Sequence, residues 1–413
     1  MTPDAAKAAA PTAVEREVLD HATGAAMLEQ VLAWSVINSG SRNLPGLETM
    51  AETLASAFAA LPGTVELLAP AAVSAIERSG REAEVAHGRN LLVTVRPEAP
   101  TQLLLTGHMD TVFGPDSPFQ TWRSQEPGIL NGPGVADMKG GIAVLLAALC
   151  AFERHPDRRL LGYQVVINAD EEVGSLGSAD LLRCAAAGKQ AALTYEPATL
   201  PDGTLAGARP GSGNFSIVVT GRSAHAGRNP EDGRNAIVAA ADIVVRLSAL
   251  VRPGLLVNCA RIDGGGPNNV VPDHAVVRVN MRPATAADQA DAERSLAGIV
   301  AEASAGHDVQ IQVHGGFNRP PKPLDGRSEQ LFRLVRECGS LLGQDIGWRD
   351  TGGVCDGNNI AACGVPVVDT MGVRGGAIHS SDEYLITDSL GERAALSALL
   401  LCRLAQGALP SPR

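Results

Sequence analysis

His108 and Asp110 follow an apolar run at residues 102–106, which predicts a buried strand. Polar residues at the carboxyl end of a buried parallel strand lie where open α/β sheets place their ligands. The two-residue spacing puts both side chains on the same side of an extended chain. Asp110 can then hold one imidazole nitrogen of His108 while the other nitrogen binds a metal. Taken alone, the histidine is also compatible with a hydrogen-bonded loop residue.

Three successive carboxylates, Asp170, Glu171 and Glu172, follow a second apolar run at residues 163–169. Carboxylates at the mouth of a buried strand repel one another and lose hydration, so such a group normally needs a cation or a shared proton. A solvated acidic turn is the alternative interpretation. The position at a strand end favours the cation.

Three more residues of the same chemical types stand at comparable positions. Asp137 ends a loop rich in glycine and proline just before an apolar helix, where a helix N-cap is the alternative interpretation. Glu196 follows an apolar run at residues 191–195, and His379 lies in a glycine-containing loop near the end of the chain. Because five separate structural explanations would have to coincide, the whole set predicts a metal site.

The elements that position these residues alternate between strands and helices in the first half of the chain. This alternation predicts an α/β domain with a mainly parallel sheet and helices on both faces. The predicted elements are strands at residues 90–95, 102–106, 163–169 and 191–195, and helices at 140–153 and 176–187.

The pattern of apolar and polar residues changes after residue 207. Apolar and polar residues alternate at 214–220, 255–262, 275–281 and 309–313, and two helices are predicted at 233–251 and 286–303. This pattern predicts a half-exposed antiparallel sheet with two helices on one face. From about residue 324 the pattern of the first half returns, with predicted helices at 328–342 and 389–406 and a predicted strand at 365–369.

The expected organisation is therefore an α/β catalytic domain, residues 1–207 and 320–413, interrupted by an inserted α+β lid domain, residues 208–319. A length of 413 residues also favours two domains over one core. Residues before about 25 and after about 407 are predicted to be loose termini.

Composition narrows the classes of partner. A net charge of −11 argues against a nucleic-acid partner, because phosphate binding needs a basic surface. Seven scattered cysteines without a C-x-x-C pair indicate reduced thiols. The longest apolar stretch, residues 142–152, is about half a membrane span. Since residues 1–14 also lack the pattern of a secretory signal, we expect a cytoplasmic protein without a membrane partner.

By its motifs the chain resembles the zinc-dependent aminoacylase and carboxypeptidase family, which includes glutamate carboxypeptidase, acetylornithine deacetylase and succinyl-diaminopimelate desuccinylase. The motifs occur in family order over roughly residues 103–385, most of the chain. Glutamate carboxypeptidase is the nearest resemblance, because of the segment HAGRNPEDGRNAI. The motifs are GHMDTV, GPGVADMKGG, DEEVGSLGS, TYEP, SAHAGRNPEDGRNAI, NNVVP and GAIHSSDEYL.

The resemblance implies two zinc ions about 3.5 Å apart, as in other two-metal hydrolases. Asp137 would bridge the ions, His108 and Glu196 would complete one of them, and Glu172 and His379 would complete the other. Zinc suits such mixed imidazole and carboxylate ligands. Cobalt or manganese is a possible substitute.

The resemblance also implies the roles of two acids beside the ligands. Glu171 matches the family's general base, which takes a proton from the metal-bridging water and later gives it to the leaving amine. Asp110 matches the partner that orients His108.

The inserted domain resembles the family's lid, which forms the dimer contact in many members. His225 matches a histidine that reaches the partner subunit's active site and stabilises the oxyanion on the scissile carbonyl. Asn269 matches a substrate-binding residue of the lid. The resemblance therefore implies a homodimer joined through the lid domain.

Three arginines are candidates for binding a substrate carboxylate through two hydrogen bonds: Arg209, Arg282 and Arg319. A surface charge is the alternative interpretation for each of them. The chain departs from the family pattern at Val354 and Cys355, where members often carry a threonine or serine. A hydroxyl donor is therefore missing from that pocket wall, and the substrate carboxylate can be held differently.

The function predicted from the sequence is hydrolysis of an amide bond, peptide or N-acyl, in a small carboxylate-bearing substrate. Two alternatives stay open: a small-molecule N-deacylase such as acetylornithine deacetylase or succinyl-diaminopimelate desuccinylase, and a non-catalytic binding protein on the same scaffold. All five ligands and the base are present, which disfavours the binding protein. Neither H-E-x-x-H nor G-x-S-x-G occurs, so zincin and serine-hydrolase mechanisms have no support.

Overall fold

The computed structural model describes residues 10–409. Within these residues the α-helices are α1 (Ala13–Thr23), α2 (Met27–Ser35), α3 (Leu44–Phe58), α4 (Gly140–Phe152), α5 (Ala179–Ala186), α6 (Ala236–Ser248), α7 (Ala286–His307), α8 (Gly326–Leu341), α9 (Asp356–Ala362) and α10 (Asp388–Ala405). A π-helical turn lies at Val135–Lys139, and a 3₁₀ turn at Glu171–Val173.

The β-strands of the same residues are β1 (Thr64–Leu68), β2 (Ser74–Ile76), β3 (Glu82–Glu84), β4 (Asn90–Val95), β5 (Thr101–His108), β6 (Arg123–Glu126), β7 (Ile129–Asn131), β8 (Leu161–Asn168), β9 (Ala191–Thr194), β10 (Leu205–Ala206), β11 (Ser212–Thr220), β12 (Leu255–Gly264), β13 (His274–Pro283), β14 (Gln310–Arg319), β15 (Trp348–Arg349), β16 (Val367–Val368), β17 (Gly375–Gly376) and β18 (Tyr384–Ile386).

A six-stranded sheet in the order β1-β4-β8-β5-β9-β16 forms the centre of the larger part of the fold. β5 pairs in parallel with both β8 and β9, and β16 pairs in parallel with β9. Only the edge formed by β1 and β4 is antiparallel. The predicted α/β class with a mainly parallel sheet is confirmed.

Helices cover both faces of this sheet. Successive side chains of a strand point to opposite faces, so a continuous apolar strand needs a helix layer on each face. Leu103 and Leu105 of β5 pack in the cluster that contains α1, α2, α3, α4 and α10. Leu104, between them, packs on the other face against α5 and α9. Strands buried on both faces read as continuous apolar runs, which is why the sequence showed them so plainly.

A second, antiparallel sheet in the order β12-β13-β11-β14 has its own apolar cluster with α6 and α7. Its strands alternate buried and exposed residues, as expected for a sheet covered on one face. We call this sheet with its two helices the lid. The boundaries 1–207, 208–319 and 320–413 remain a prediction.

Two chain crossings connect the lid to the central layer, and they run side by side. The backbone N–H of Arg209 donates to the carbonyl of Lys322 at 2.9 Å, and the N–H of Lys322 donates back at 3.0 Å. A third contact is made by the β2–β3 hairpin, where Ile76 packs on Val218 and Val276 of the lid sheet. Arg278 of the lid also donates to the Ile76 carbonyl at 2.5 Å.

The prediction of a loose terminus before about residue 25 is wrong for α1, which packs Val18 and Ala22 into the main core. Thr12 and Glu15 form a capping box at its start. The Thr12 hydroxyl accepts the Glu15 N–H at 3.1 Å, and the Glu15 carboxylate accepts the Thr12 N–H at 2.7 Å. The T-x-x-E spacing is a sequence signal for this helix start.

One helical stretch of residues 10–409, Val135–Phe152, is long and apolar enough to cross a membrane by length and composition alone. It combines the π-helical turn with α4, and 94% of it is buried inside the fold. Its apolar side chains belong to the main core cluster. The apolar character is accounted for by packing in the centre of the protein.

Candidate metal centre

Parallel strand pairing brings three groups of acidic and histidine residues to one edge of the central sheet. His108 is the last residue of β5 and lies opposite Asn168, the last residue of β8. Glu171 and Glu172 open the 3₁₀ turn that follows β8, and Glu196 follows β9, which pairs with the other side of β5. The ends of adjacent parallel strands meet at the same edge, as the sequence pattern required.

Asp137 enters this edge from the turn between β7 and α4. It adopts non-helical torsions, φ −116° and ψ 88°, inside the π-helical turn, so its side chain leaves the axis of the following helix. Asp137 Oδ1 lies 3.1 Å from His108 Nε2, and Asp137 Oδ2 lies 3.3 Å from His379 Nε2. The two oxygens of one carboxylate thus face two different histidines.

His379 reaches the same point from the loop between β17 and β18. It has φ 64°, in the left-handed region that few side chains other than glycine adopt. Its Nε2 lies 3.1 Å from Glu172 Oε2. His379 is half-exposed, with 52% of its side chain accessible, whereas His108 is buried, so the centre opens to solvent on the His379 side.

The fifth residue, Glu196, has its Oε2 atom 3.6 Å from His108 Nε2. The candidate ligands therefore form an unbroken series from Glu196 through His108, Asp137 and His379 to Glu172. Ligand atoms of His108, Asp137 and Glu172 lie within 4.8 Å of one another, as do those of His108, Glu171 and Glu196. Mixed imidazole and carboxylate donors at this density fit zinc or a similar divalent metal.

Electrostatics support the same fit. Burial raises the pKa of Glu172 to about 8, helped by the charge of Asp137, and burial also raises the pKa values of Glu171 and Glu196. Hydrogen bonds to Asp137 and Glu172 raise the pKa of His379 to about 11. In the absence of another positive charge, buried carboxylates that lie close together favour protonated forms, both of one another and of nearby histidines. A divalent cation would replace those protons.

The pKa values of His108 and Asp137 are shifted in opposite directions. Burial acts to lower the pKa of His108, but the charges and hydrogen bonds of Glu196, Asp110 and Asp137 raise it well above its usual value. Burial acts to raise the pKa of Asp137, yet hydrogen bonds to His108 and His379 outweigh it and leave that pKa low. Hydrogen bonds to both histidines thus favour the ionised form of Asp137, as suits a ligand shared by two cations.

Asp110 contacts more than its predicted partner. His108 Nδ1 lies 3.0 Å from the Asp110 carbonyl oxygen but 3.4 Å from the carboxylate. The carboxylate itself accepts the backbone N–H groups of Glu171 at 3.1 Å and Glu172 at 3.2 Å, and the Ser41 hydroxyl at 2.7 Å. Both the carbonyl and the carboxylate of Asp110 thus face His108 Nδ1, and the carboxylate also fixes the turn that carries Glu171 and Glu172.

Glu171, the predicted base, is buried and paired with Arg319, the last residue of β14. Arg319 Nη1 lies 2.6 Å from Glu171 Oε1, and Nη2 donates to the Glu171 carbonyl and to the Ser175 hydroxyl, both at 2.9 Å. Asp356 lies 3.5 Å from the same guanidinium. In the structure Arg319 binds Glu171, and its predicted role in binding a substrate carboxylate stays a prediction.

Arg209, a second predicted carboxylate-binding residue, is also buried and engaged. Its Nε and Nη2 donate to the two oxygens of Asp369 at 2.7 and 3.2 Å, and its Nη1 donates to the Gly353 carbonyl at 3.1 Å. Lys322 Nζ lies 3.0 Å from the same carboxylate. Burial acts to raise the pKa of Asp369, but the two cations outweigh it and lower that pKa.

Arg282, the third predicted arginine, is half-buried and lies at the lid side of the centre. Its Nε donates to Asn280 Oδ1 and its Nη1 donates to the Gly352 carbonyl, both at 3.0 Å. It lines a cleft of about 970 Å³ between the lid sheet and the candidate ligands. Among the three arginines, it is the one whose bonds are to neutral groups alone.

Two cavities meet at Glu171, Glu172 and His379. The lid cleft, of about 970 Å³, is mainly polar on the lid side, where its lining includes Asn214, Asn258, Arg278, Arg282 and His314. The inner pocket, of about 480 Å³, has an apolar wall formed by Pro197, Ala198, Pro201, Val354 and Ile378. A substrate spanning both would therefore meet a polar, cationic side and an apolar side.

His225 and Asn269 lie next to each other on the lid and line neither cavity. The Ala226 N–H donates to the Asn269 carbonyl at 3.0 Å, and His225 forms a β-bridge with Val270. Both side chains are exposed. Within one subunit the structure does not bring these two predicted residues to the candidate ligands.

Cys355 forms part of the inner pocket, where the sequence departs from the resembling family. Its Sγ lies 3.6 Å from Asp369 Oδ2, and burial raises the pKa of the thiol well above its usual value. A protonated, buried thiol is a poor nucleophile. Cys355 therefore acts as a small packing residue with a weak S–H donor.

Sequence reasoning missed three buried acids that hold the site together: Asp356, Asp369 and Glu383. Asp356 and Asp369 pair with Arg319 and Arg209. Glu383 accepts backbone N–H groups from the turn that carries Asp137. Glu383 stands inside the GAIHSSDEYL motif, so its position was visible, but its contact 246 residues away was not.

Comparisons with known proteins agree with this geometry. The sequence profile of peptidase family M20/M25/M40 matches residues 104–403. Carboxypeptidase G2 of Pseudomonas sp. (strain RS-16) is 30% identical over 335 residues, 78% of each chain. Succinyl-diaminopimelate desuccinylase of Pseudoalteromonas translucida is 29% identical over 307 residues, 69% of this chain and 78% of that enzyme.

Solved structures show the same fold. A tripeptidase from Staphylococcus aureus subsp. aureus Mu50 superposes with a TM-score of 0.71 at 22% identity, covering 92% of this chain and 98% of that one. A dinuclear metal-binding peptidase of family M20 from Bacillus subtilis superposes with a TM-score of 0.63 at 16% identity, covering 92% and 98%. The chain belongs to peptidase family M20/M25/M40, a family of metal-dependent hydrolases.

Proposed function

We propose that this protein is a two-zinc amidase that hydrolyses a peptide or N-acyl amide bond in a small substrate with a free carboxylate. The observation that carries the proposal is the series Glu196, His108, Asp137, His379 and Glu172, with neighbouring donor atoms 3.1–3.6 Å apart. His108, Asp137 and Glu196 would hold one ion, and Asp137, Glu172 and His379 the other. Cobalt or manganese would suit the same donors.

Metals bound there would polarise the scissile carbonyl and lower the pKa of an attacking water. Glu171, beside ligand Glu172, would take the proton from that water and deliver it to the leaving amine. The ion pair with Arg319 holds the Glu171 carboxylate at the junction of the lid cleft and the inner pocket. Asp110 keeps Glu171 and Glu172 in register through their backbone N–H groups.

The two cavities support a division of the substrate. Arg282 on the lid side would bind the carboxylate, since its present partners are a neutral amide and a carbonyl. The inner pocket would take the less polar part, because proline, alanine, valine and isoleucine residues form one of its walls. Arg209 already donates to both oxygens of Asp369, so its guanidinium is less available to a substrate carboxylate in that pocket.

The lid residues His225 and Asn269 would act on the site of a partner subunit in a homodimer. The support is their exposure and their absence from both cavities of their own chain. His225 would then donate a hydrogen bond to the oxyanion that develops on the scissile carbonyl. A homodimer joined through the lid would supply both residues.

The decisive experiment combines metal analysis with a substrate panel. Protein prepared with zinc should contain about two ions per chain. It should hydrolyse N-acetyl, N-benzoyl or N-succinyl amino acids or dipeptides, and a chelator should abolish that activity. Active protein without any bound transition metal would refute the proposal.

The panel also separates the runner-up function. Succinyl-diaminopimelate desuccinylases of several bacteria are 27–29% identical to this chain, which keeps a small-molecule N-deacylase in contention. Turnover confined to N-succinyl substrates would favour the deacylase. Turnover of N-benzoylglutamate or of dipeptides would favour the carboxypeptidase type. Metal binding without any turnover would favour the binding protein.

A further inference from the structure

The candidate ligands Asp137 and His379 lie on separate loops that are joined by strand pairing. Asn131, before the Asp137 turn, pairs with Tyr384 of β18, after the His379 loop. The Asn131 side chain also donates to the carbonyls of Ser381 at 3.0 Å and Glu383 at 2.7 Å. These contacts make the two loops one hydrogen-bonded unit.

Besides His379, whose imidazole faces the Asp137 carboxylate, Glu383 of the same loop reaches into the Asp137 turn and binds its backbone. Its Oε1 accepts the backbone N–H groups of Ala136 and Asp137, each at 3.0 Å, and its Oε2 accepts the Gly134 N–H at 3.2 Å. The residue is 1% exposed. One buried carboxylate therefore binds three amides of the turn.

The Asp137 turn needs such a partner. Asp137 and Met138 have non-helical torsions, so their amides are not fixed by the regular hydrogen bonds of α4. A buried carboxylate is costly unless it accepts hydrogen bonds, and charge-assisted bonds from backbone N–H groups are about twice as strong as neutral ones. The arrangement at Glu383 satisfies the acid and fixes the turn at the same time.

We propose that Glu383 is a positioning residue that aims the Asp137 carboxylate between the two metal sites and holds it in register with His379. This inference rests on the proposed function, because it needs Asp137 to be a metal ligand. Glu383 binds the backbone N–H of Asp137, so it acts on the metal site through Asp137. It corresponds to Asp110, which holds the Glu171–Glu172 turn in the same manner.

The test compares Glu383→Gln with the matched control Asp382→Asn. Both changes replace a carboxylate by an amide and remove one negative charge from the same loop, but Asp382 is exposed, and among the described residues its side chain makes no hydrogen bond or ion pair with the Asp137 turn. In Glu383→Gln, one acceptor becomes an NH₂ group facing backbone N–H donors. We expect zinc affinity, measured by competition with a chromophoric chelator, to fall about 10- to 100-fold. The control should bind zinc like the unchanged protein.

The visible absorption spectrum of the cobalt-loaded protein supplies a readout that a merely structural role would not move. Glu383→Gln should shift the cobalt bands, and Asp382→Asn should not. Unchanged affinity and spectrum, with only a lower melting temperature of the metal-free protein, would overturn the inference. If Glu383→Gln does not fold, Glu383→Asp, which keeps the charge on a shorter side chain, should show a smaller loss of affinity, and normal affinity there would overturn the inference equally.

Failure of the broader proposal has a different signature. If the unchanged protein binds no transition metal, the proposed function is wrong whatever the variants do. If the unchanged protein binds two ions and Glu383→Gln binds them equally well, only the role of Glu383 is wrong.

Discussion

The metal centre and the lid present their candidate residues in opposite ways. Four of the five candidate ligands are buried or nearly so, and all five lie within hydrogen-bond or ion-pair distance of another. On the lid, His225 and Asn269 are exposed, and neither lines the lid cleft or the inner pocket. Folding of one chain brings the candidate ligands together. The same folding leaves His225 and Asn269 away from those ligands.

The difference is in what fixes each side chain. The turn bearing Glu171 and Glu172 is held by Asp110, and the turn bearing Asp137 is held by Glu383. Groups fixed in this way do not have to reorganise when charge develops. Among the described residues, the imidazole of His225 has one hydrogen bond, which its Nδ1 accepts from the Gly227 N–H at 3.1 Å. Substitutions at the metal centre should therefore lower activity more than substitutions on the lid.

The largest effect is expected for Asp137→Ala. This change removes the carboxylate that faces both histidines, so zinc content should fall below one ion per chain and turnover should become undetectable. Elemental analysis and the substrate panel measure both quantities. Asp116→Asn, in an exposed loop, is the control and should keep normal metal content. An Asp137→Ala protein with two ions would remove Asp137 from the set of ligands.

Glu171→Gln should retain metal and lose about 100- to 10,000-fold in kcat, the range expected for loss of proton transfer. Glutamine keeps the size of the side chain and can still accept from Arg319. The measurement is kcat at saturating substrate together with zinc content. Near-normal kcat would show that another group is the base.

His225→Ala should bind metal normally and lose about 100- to 1,000-fold in kcat, as when one oxyanion donor is removed. Mixing it with Glu171→Gln tests action on a partner subunit, because a mixed dimer would contain one site with both an intact base and a partner histidine. Activity should return once mass spectrometry shows mixed dimers. Exchange without recovery would place His225 in its own chain's site or outside catalysis, and a monomer at assay concentration would exclude the composite site.

The smallest effect is expected for Arg282→Gln. Loss of a charge-assisted hydrogen bond, about 1.5–3 kcal/mol, corresponds to roughly a 10- to 150-fold rise in KM for substrates with a free carboxylate. Substrates whose carboxylate is amidated should respond little. Equal losses for both kinds of substrate would show that Arg282 supports the lid and does not bind the carboxylate.

The sequence predicted the central layer well because its signals are local. β4 was predicted with the bounds that it has, and α4 within one residue, since both are continuous apolar runs. The positions of His108, Glu171 and Glu196 at strand ends follow from the same pattern. The six-residue shortfall for β14 arose because its second half includes two glycines and an arginine, which do not alternate in the expected way.

Contacts between distant residues could not be read in this way. Arg319 and Glu171 are 148 residues apart, and each has an ordinary local setting. The sequence offers no reason to prefer a substrate carboxylate or Glu171 as the partner of Arg319. The same holds for Arg209 with Asp369, because an arginine fits either partner equally well until the fold brings one of them within reach.

The β2–β3 hairpin changes how the lid can move. The two chain crossings are joined by backbone hydrogen bonds between Arg209 and Lys322, so by themselves they would form a single hinge about which the lid could rotate. The hairpin supports the lid at a further point, through the packing of Ile76 and the hydrogen bond from Arg278. A body held at three points that do not lie on one line cannot rotate freely. A wide opening of the lid would therefore have to separate the hairpin from the lid sheet and break the hydrogen bond from Arg282 to the Gly352 carbonyl.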